Sequence, residues 1–141
     1  MKIIVGGFVF YQNFVLFVKH KKLGIWIHPA GHLEADESFD QGLKREINEE
    51  TGLTISIISA IKNDLTDSKI ASLAIPFSIH MKNNEIRLDY VCVSEEKEVS
   101  INSKELLDFK WIEIHQIEQA QLHPTLLSLA KKAIEIYKNY T

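Results

Sequence analysis

Gly31-His-Leu-Glu-Ala-Asp-Glu-Ser-Phe-Asp-Gln-Gly-Leu-Lys-Arg-Glu-Ile-Asn-Glu-Glu-Thr-Gly52-Leu53 is the stretch whose reading decides the fold. Besides Asp40 it carries six acids: Glu34, Asp36, Glu37, Glu46, Glu49 and Glu50. The last three stand at i, i+3 and i+4, which on a helix brings their Cβ atoms to about 5–6 Å of one another. Carboxylates so close repel unless a positive charge sits among them. A divalent metal is the first candidate for that charge.

The helix itself is marked at both ends. Ser38 with Gln41 three residues later makes a capping box, so the helix starts there. Gly52 supplies a residue that tolerates positive φ just past Thr51, so the helix stops there. Asp40 in the first turn suits the positive end of the dipole. At about 100° per residue, Phe39, Leu43 and Ile47 form the inward arc. Glu46 and Glu50 fall inside that arc and Glu49 just beyond its edge, while Asp40, Gln41, Lys44, Arg45 and Asn48 take the other side. A solvated acidic face would place the glutamates beside Lys44 and Asn48. Carboxylates turned inward are costly unless paired or metal-bound, which favours the metal. Gly42 also lies in the arc and costs roughly 1 kcal/mol against Ala, so it points to close approach of a neighbouring backbone or to a tolerated weakness.

This segment resembles the Nudix box, Gly-x5-Glu-x7-Arg-Glu-U-x-Glu-Glu-x-Gly-U with U apolar. Gly31, Glu37, Arg45, Glu46, Ile47, Glu49, Glu50, Gly52 and Leu53 fill its fixed positions in order. The resemblance implies an α/β fold, an α/β/α sandwich with a mixed sheet, largely antiparallel, between helices. It implies a hydrolase that uses Mg²⁺, with Mn²⁺ as a substitute, on a nucleoside diphosphate linked to another moiety or on a related pyrophosphate. It further implies that Glu46, Glu49 and Glu50 bind metal, joined by the backbone carbonyl of Ala30, where many members have Gly. Glu37 and Arg45 are then the pair that braces the loop, and Arg45, Glu37, Glu46 and Glu49 the catalytic set. All-oxygen ligands without thiolates suit a hard cation. The general base stays open between Glu49 and residues outside the box: Asp89, Glu95, Glu96 and Glu98. The run from Glu95 to Glu98 reads more simply as a solvated turn, whereas Asp89 in an apolar strand is harder to dismiss, since strands are depleted in Asp.

The rest of the chain is consistent with one domain over residues 1–141, large enough for a core. Hydrophobic content of 45% and charged content of 25% are ordinary for a globular protein. A net charge of −3 gives no support for a nucleic-acid surface and counts against an RNA 5′-end pyrophosphohydrolase, the lesser alternative. The partner that the resemblance implies is a small diphosphate, of nucleotide type. Cys92 is the single cysteine and excludes an internal disulfide, which fits a reducing cytoplasm. The apolar N-terminus reads as a first strand, with neither a cleavage site nor a membrane span. Many relatives dimerise, which leaves a homodimer open. A ligand-sensing domain without catalysis is the alternative from another class, although such modules usually lose box acids and this chain keeps them.

Strands are expected near 3–10, 14–20, 25–28, 54–61, 73–80, 86–94 and 107–114, with a turn at Gln12-Asn13. A final helix starts at Pro124 and runs to about Tyr137, its apolar stripe including Leu126, Ala130, Ala133 and Ile134. Trp26 and Trp111 read as core, His28 and His32 as structural or substrate-adjacent rather than zinc ligands. Lys19, His20, Lys21 and Lys22 read as a solvated hairpin loop, with steering of an anionic substrate as the lesser alternative. Residues 62–72, with Asp64 and Asp67, read as a surface loop near the cleft.

Overall fold

The computed structural model describes residues 1–59 and 74–140. Strands β1 (Lys2–Tyr11), β2 (Phe14–His20), β3 (Trp26–Ile27) and β4 (Ala30–His32) precede helix α1 (Phe39–Thr51). Strands β5 (Ile55–Ile58), β6 (Ser78–Lys82), β7 (Glu85–Ser94) and β8 (Leu106–Glu113) follow, then a 3₁₀ helix (Ile114–Ala120) and α2 (Pro124–Tyr140). Among the described residues eight strands form one mixed sheet, in which only β1 and β7 run parallel. Helices α1 and α2 cover its two faces, giving an α/β/α sandwich.

Alternation along β1 sorts the two cores. Val5 and Val9 pack with Leu43 and Ile47 of α1. Phe8 and Phe10 pack with Ala130, Ile134 and Tyr137 of α2, and the Phe10 and Tyr137 rings stack at 4.2 Å. Leu43 and Ile47 are fully buried, each contributing roughly 1.5–3 kcal/mol by leaving water. Gly7 lets α1 approach, because a Cβ there would press on Cys92 Sγ and the Ile47 side chain.

The edge of β1 that positions the site is divided. Ile4 to Gly6 pair with β4, while Phe10 and Tyr11 pair with β2. Strand β2 turns its other edge to β8 along its whole length. Between the two pairings β1 and β2 part, and a cleft of about 500 Å³ opens there.

Several expectations need correction. The strand expected at 73–80 is Ser78–Lys82, because Pro76 has no N–H to donate and the hairpin closes at Asn83-Asn84, both at positive φ. The short β4 was missed, since three residues after a proline carry no periodicity. Phe39 is 44% exposed: the buried residues of α1 begin at Gly42, so the first turn overhangs the sheet. Trp26 and Trp111 are half-buried rather than core, Trp26 beneath the Lys110 ammonium and Trp111 donating to the Lys97 carbonyl. At Gly42 the atoms nearest to an added Cβ belong to side chains, Leu33 and Glu37. The loop expected over 62–72 lies outside the described residues.

Candidate active site

Helix α1 carries the acids into the cleft, and its ends are built as the sequence indicates. Ser38 Oγ accepts from the Gln41 N–H at 3.2 Å, Gln41 Oε1 accepts from the Ser38 N–H at 3.0 Å, and Gly52 takes φ 76°. The helix end is tied down by the Thr51 hydroxyl, which donates to the Ile47 carbonyl at 2.6 Å. Two further bonds hold the segment ahead of β8 against it: Ser100 N–H to the Thr51 carbonyl and Asn102 N–H to the Glu50 carbonyl, each 3.0 Å.

The positive charge among the acids comes first from the segment itself. Arg45, placed by the helical wheel on the outer side, folds back and is only 24% exposed. Its Nε and Nη2 donate to the two oxygens of Glu37 at 2.6 and 2.8 Å. Its Nη1 reaches Glu46 at 2.9 Å and Glu49 at 3.2 Å, and Nη2 also donates to the His32 carbonyl at 3.0 Å. The wheel fails here because a long side chain can lie along the surface and cross to a neighbouring arc. Arg45 holds the Glu37 carboxyl down at about 2, first through their hydrogen bond and then with help from the Glu34 N–H.

Glu50 is the acid that Arg45 does not reach. It is 1% exposed. One oxygen accepts from the Ala30 N–H at 2.9 Å and the other lies 3.4 Å from His20 Nε2. Burial pushes its pKa up to about 8, with the charges of Glu46, Glu105 and Glu49 adding to the rise. Burial likewise raises Glu46, against the opposing Arg45, and lowers His20. Glu46 lies directly over Gly31, where any Cβ would collide with its carboxyl group. That is the physical demand for glycine at the start of the segment. Glu49 stands outward, 55% exposed.

The cleft brings Glu46, Glu50, Ala30 and Gly31 together with residues from distant sequence: His20 at the end of β2, Lys21 and Lys22 after it, and Lys104 and Glu105 before β8. Glu105 is the functional candidate that the sequence reading missed. Its charge bears on Glu46, Glu50 and His20, yet nothing in its local spacing marks it. Glu95, Glu96 and Glu98 are exposed and do not line the cleft, consistent with a solvated turn. Asp89 points to the opposite face of the sheet, beside Gly6 and Phe8. There His28 Nε2 donates to Asp89 Oδ1 at 2.7 Å, and the His28 ring stacks on Phe8 at 4.1 Å. His32 lines the cleft with Nε2 3.4 Å from Glu85.

The donor set suits a hard dication: carboxylate oxygens of Glu46, Glu50 and Glu105 around one opening, no thiolate, and a buried Glu50 carboxyl without a cation beside it. Among the described residues no three acidic, histidine or cysteine side chains already converge at ligand distance, since Arg45 spans Glu46 and Glu49. No helix among the described residues is long and apolar enough to cross a membrane.

Comparison with known proteins agrees with this geometry. The NUDIX domain family model matches residues 2–133. A protein of Zymomonas mobilis described as an RNA pyrophosphohydrolase is 30% identical over 116 residues, covering 77% of this chain and 71% of that protein. A NUDIX-family hydrolase from Clostridium perfringens superimposes with a TM-score of 0.85 at 24% identity, covering 96% of this chain and 97% of that one. An Ap4A hydrolase from C. elegans superimposes at 0.73 with 14% identity over 99% of both chains. At these identities the two structures speak for the fold alone.

Proposed function

This chain belongs to the NUDIX domain family, hydrolases of pyrophosphate bonds, and on that premise we propose that residues 1–141 act as one Mg²⁺-dependent hydrolase of a nucleotide-type diphosphate. The observation that carries the proposal is Glu50: a sealed carboxyl at the cleft, held by the Ala30 N–H and beyond the reach of Arg45. The Ala30 N–H favours its anion but does not offset the cost of burial, and a cation arriving from the cleft would.

In this reading Glu46, Glu49 and Glu50, with the Ala30 carbonyl, hold Mg²⁺ or Mn²⁺, and Glu105 joins them from across the cleft. The ion when bound offsets phosphate charge and acidifies a water. Gly31 keeps room for the Glu46 carboxyl, while Glu37 fixes Arg45, which in turn fixes Glu46 and Glu49. Glu49, the most exposed of the three helix acids, takes the proton from the attacking water. The oxygen of that water bonds to phosphorus in line as the bond from that phosphorus to the bridging oxygen breaks, and the second phosphate leaves with the bridging oxygen. The Asp89 carboxylate is engaged by His28 and has no part in this step. A cleft of about 500 Å³ is of the size that holds a small ligand. A lone buried Cys92 accords with a cytoplasmic protein.

A second reading is an RNA 5′-end pyrophosphohydrolase, favoured by the name of the Zymomonas relative. One screen separates these readings from a ligand sensor: nucleotides, nucleotide sugars, dinucleoside polyphosphates and a 5′-triphosphorylated oligonucleotide, each with Mg²⁺ or EDTA and with products identified by mass. The hydrolase reading expects cation-dependent cleavage at a P–O–P bridge for at least one class. Binding without cleavage across the panel would overturn it in favour of a sensor.

A further inference from the structure

Three lysines line the same cleft as the acids, and their position is built rather than incidental. Lys21 and Lys22 stand in the turn after β2, which closes through the Gly24 N–H to the His20 carbonyl at 2.9 Å, with Gly24 at φ 63°. Lys104 stands in the turn before β8, where its own N–H donates to Asn102 Oδ1 at 3.1 Å. These turns are latched together by the Lys21 N–H to the Glu105 carbonyl at 3.0 Å. The second turn is fastened to the acid helix by the Asn102 N–H to the Glu50 carbonyl, also 3.0 Å. Two basic turns and the buried Glu50 therefore form one hydrogen-bonded frame, although they come from three separate parts of the chain.

The charges in the cleft are unequally employed. Arg87 lies 3.9 Å from Glu85, which also takes His32. Arg45 is spent on Glu37, Glu46 and Glu49. Lys21, Lys22 and Lys104 line the same cleft, are exposed, and have no carboxylate within ion-pair distance among the described residues, not even the adjacent Glu105. Glu46, Glu50, Glu85 and Glu105 are the acids that line the cleft with them.

We propose that Lys21, Lys22 and Lys104 clamp the phosphates beyond the scissile bridge, and that the preferred substrates carry a chain of at least three phosphates ending in a free terminal phosphate. This rests on the hydrolase reading above. A diphosphate capped at both ends carries about one negative charge per phosphate, which a single dication offsets. A free terminal phosphate adds about −1.5 to −2, an excess that the dication leaves over and that the three ammonium groups more than cover. Lysine meets it as a mobile point charge with three donors, suited to a flexible chain rather than to one planar group.

The test compares the full chain with Lys21→Gln/Lys104→Gln and with Lys22→Gln, after thermal melts establish that all three fold alike. With Mg²⁺, kcat/KM is measured on a nucleoside triphosphate, on a 5′-triphosphorylated oligonucleotide, and on a nucleoside diphosphate capped with a sugar. The clamp predicts a loss of tenfold or more on the triphosphate substrates, carried by KM, and less than threefold on the capped diphosphate. The two triphosphate arms tell a free nucleotide from an RNA end. Equal losses on all substrates, or none, overturn the clamp while leaving the hydrolase reading intact. If the wild-type chain cleaves nothing, the hydrolase reading fails, and the clamp is judged by calorimetry with inorganic tripolyphosphate and pyrophosphate. Tighter binding of the longer chain, lost in the double variant, supports it; equal affinities overturn it.

Discussion

Glu50 and Asp89 are both carboxylates sealed against the same sheet, 1% and 3% exposed, and their surroundings differ in one respect. Asp89, on the α2 face, has a histidine nitrogen at 2.7 Å, and that histidine is clamped by Phe8. Glu50, on the α1 side, has one backbone N–H and a more distant His20 at 3.4 Å, and it borders an open cleft. The first acid has its partner inside the fold. The second is left with a proton affinity raised by burial and with access to whatever the cleft admits. Burial of a carboxylate is therefore not the mark of a site; burial without a close side-chain partner, at a cavity wall, is.

The largest effect that could break this contrast is on turnover. Glu50→Gln should lower kcat on the order of 10²-fold or more, as expected when a metal site loses an essential group. The metal-free variant should melt no lower than wild type, because the substitution removes a desolvated acid next to Glu46. Near-wild-type kcat at saturating Mg²⁺, measured with any substrate found in the screen, would erase the distinction between the two acids.

The converse holds for the other face. His28→Ala takes the 2.7 Å partner from buried Asp89 and leaves it only His80 Nδ1 at 3.7 Å, at a cost of about 3 kcal/mol and a fall in Tm of roughly 10 °C. At a temperature where the variant is folded, its kcat should stay within a few-fold of wild type. A variant with unchanged Tm but lost turnover would move Asp89 into the reaction.

A smaller effect sharpens the role of Arg45. The Glu37 carboxyl is held at about 2 in the folded chain, mainly by Arg45, below the ordinary carboxylate value that the unfolded chain restores. Its contribution to stability is thus complete above the unfolded pKa and is lost as pH falls from about 4.5 toward 2. Acid titration followed by circular dichroism should show wild type losing its advantage over Glu37→Gln across that window. Parallel curves would mean the bond to Arg45 contributes nothing to folding.

Much of the fold was legible because its signals are local. The capping box at Ser38 and Gln41, the positive-φ stop at Gly52 and the α2 stripe each need only a turn or two of chain to be read. The long strands β1, β2, β7 and β8 were legible for the same reason, since alternation and run length survive without tertiary knowledge. Where the local rule met a boundary it erred: Phe39 satisfies the helical period but overhangs the sheet, and Ala30–His32 pairs with β1 in a piece too short to show any period.

What the sequence determined by itself is the acid helix, its ends, and the family to which that helix belongs, because spacing along one helix fixes which side chains are neighbours. Tertiary structure alone decided that Arg45 would fold back among the acids and that His28 would meet Asp89 from 61 residues away. It alone brought Lys21, Lys104 and Glu105 to the same cleft. Those outcomes follow from strand register and from how much water each carboxylate loses, quantities set by contacts between segments and carried by none of them separately.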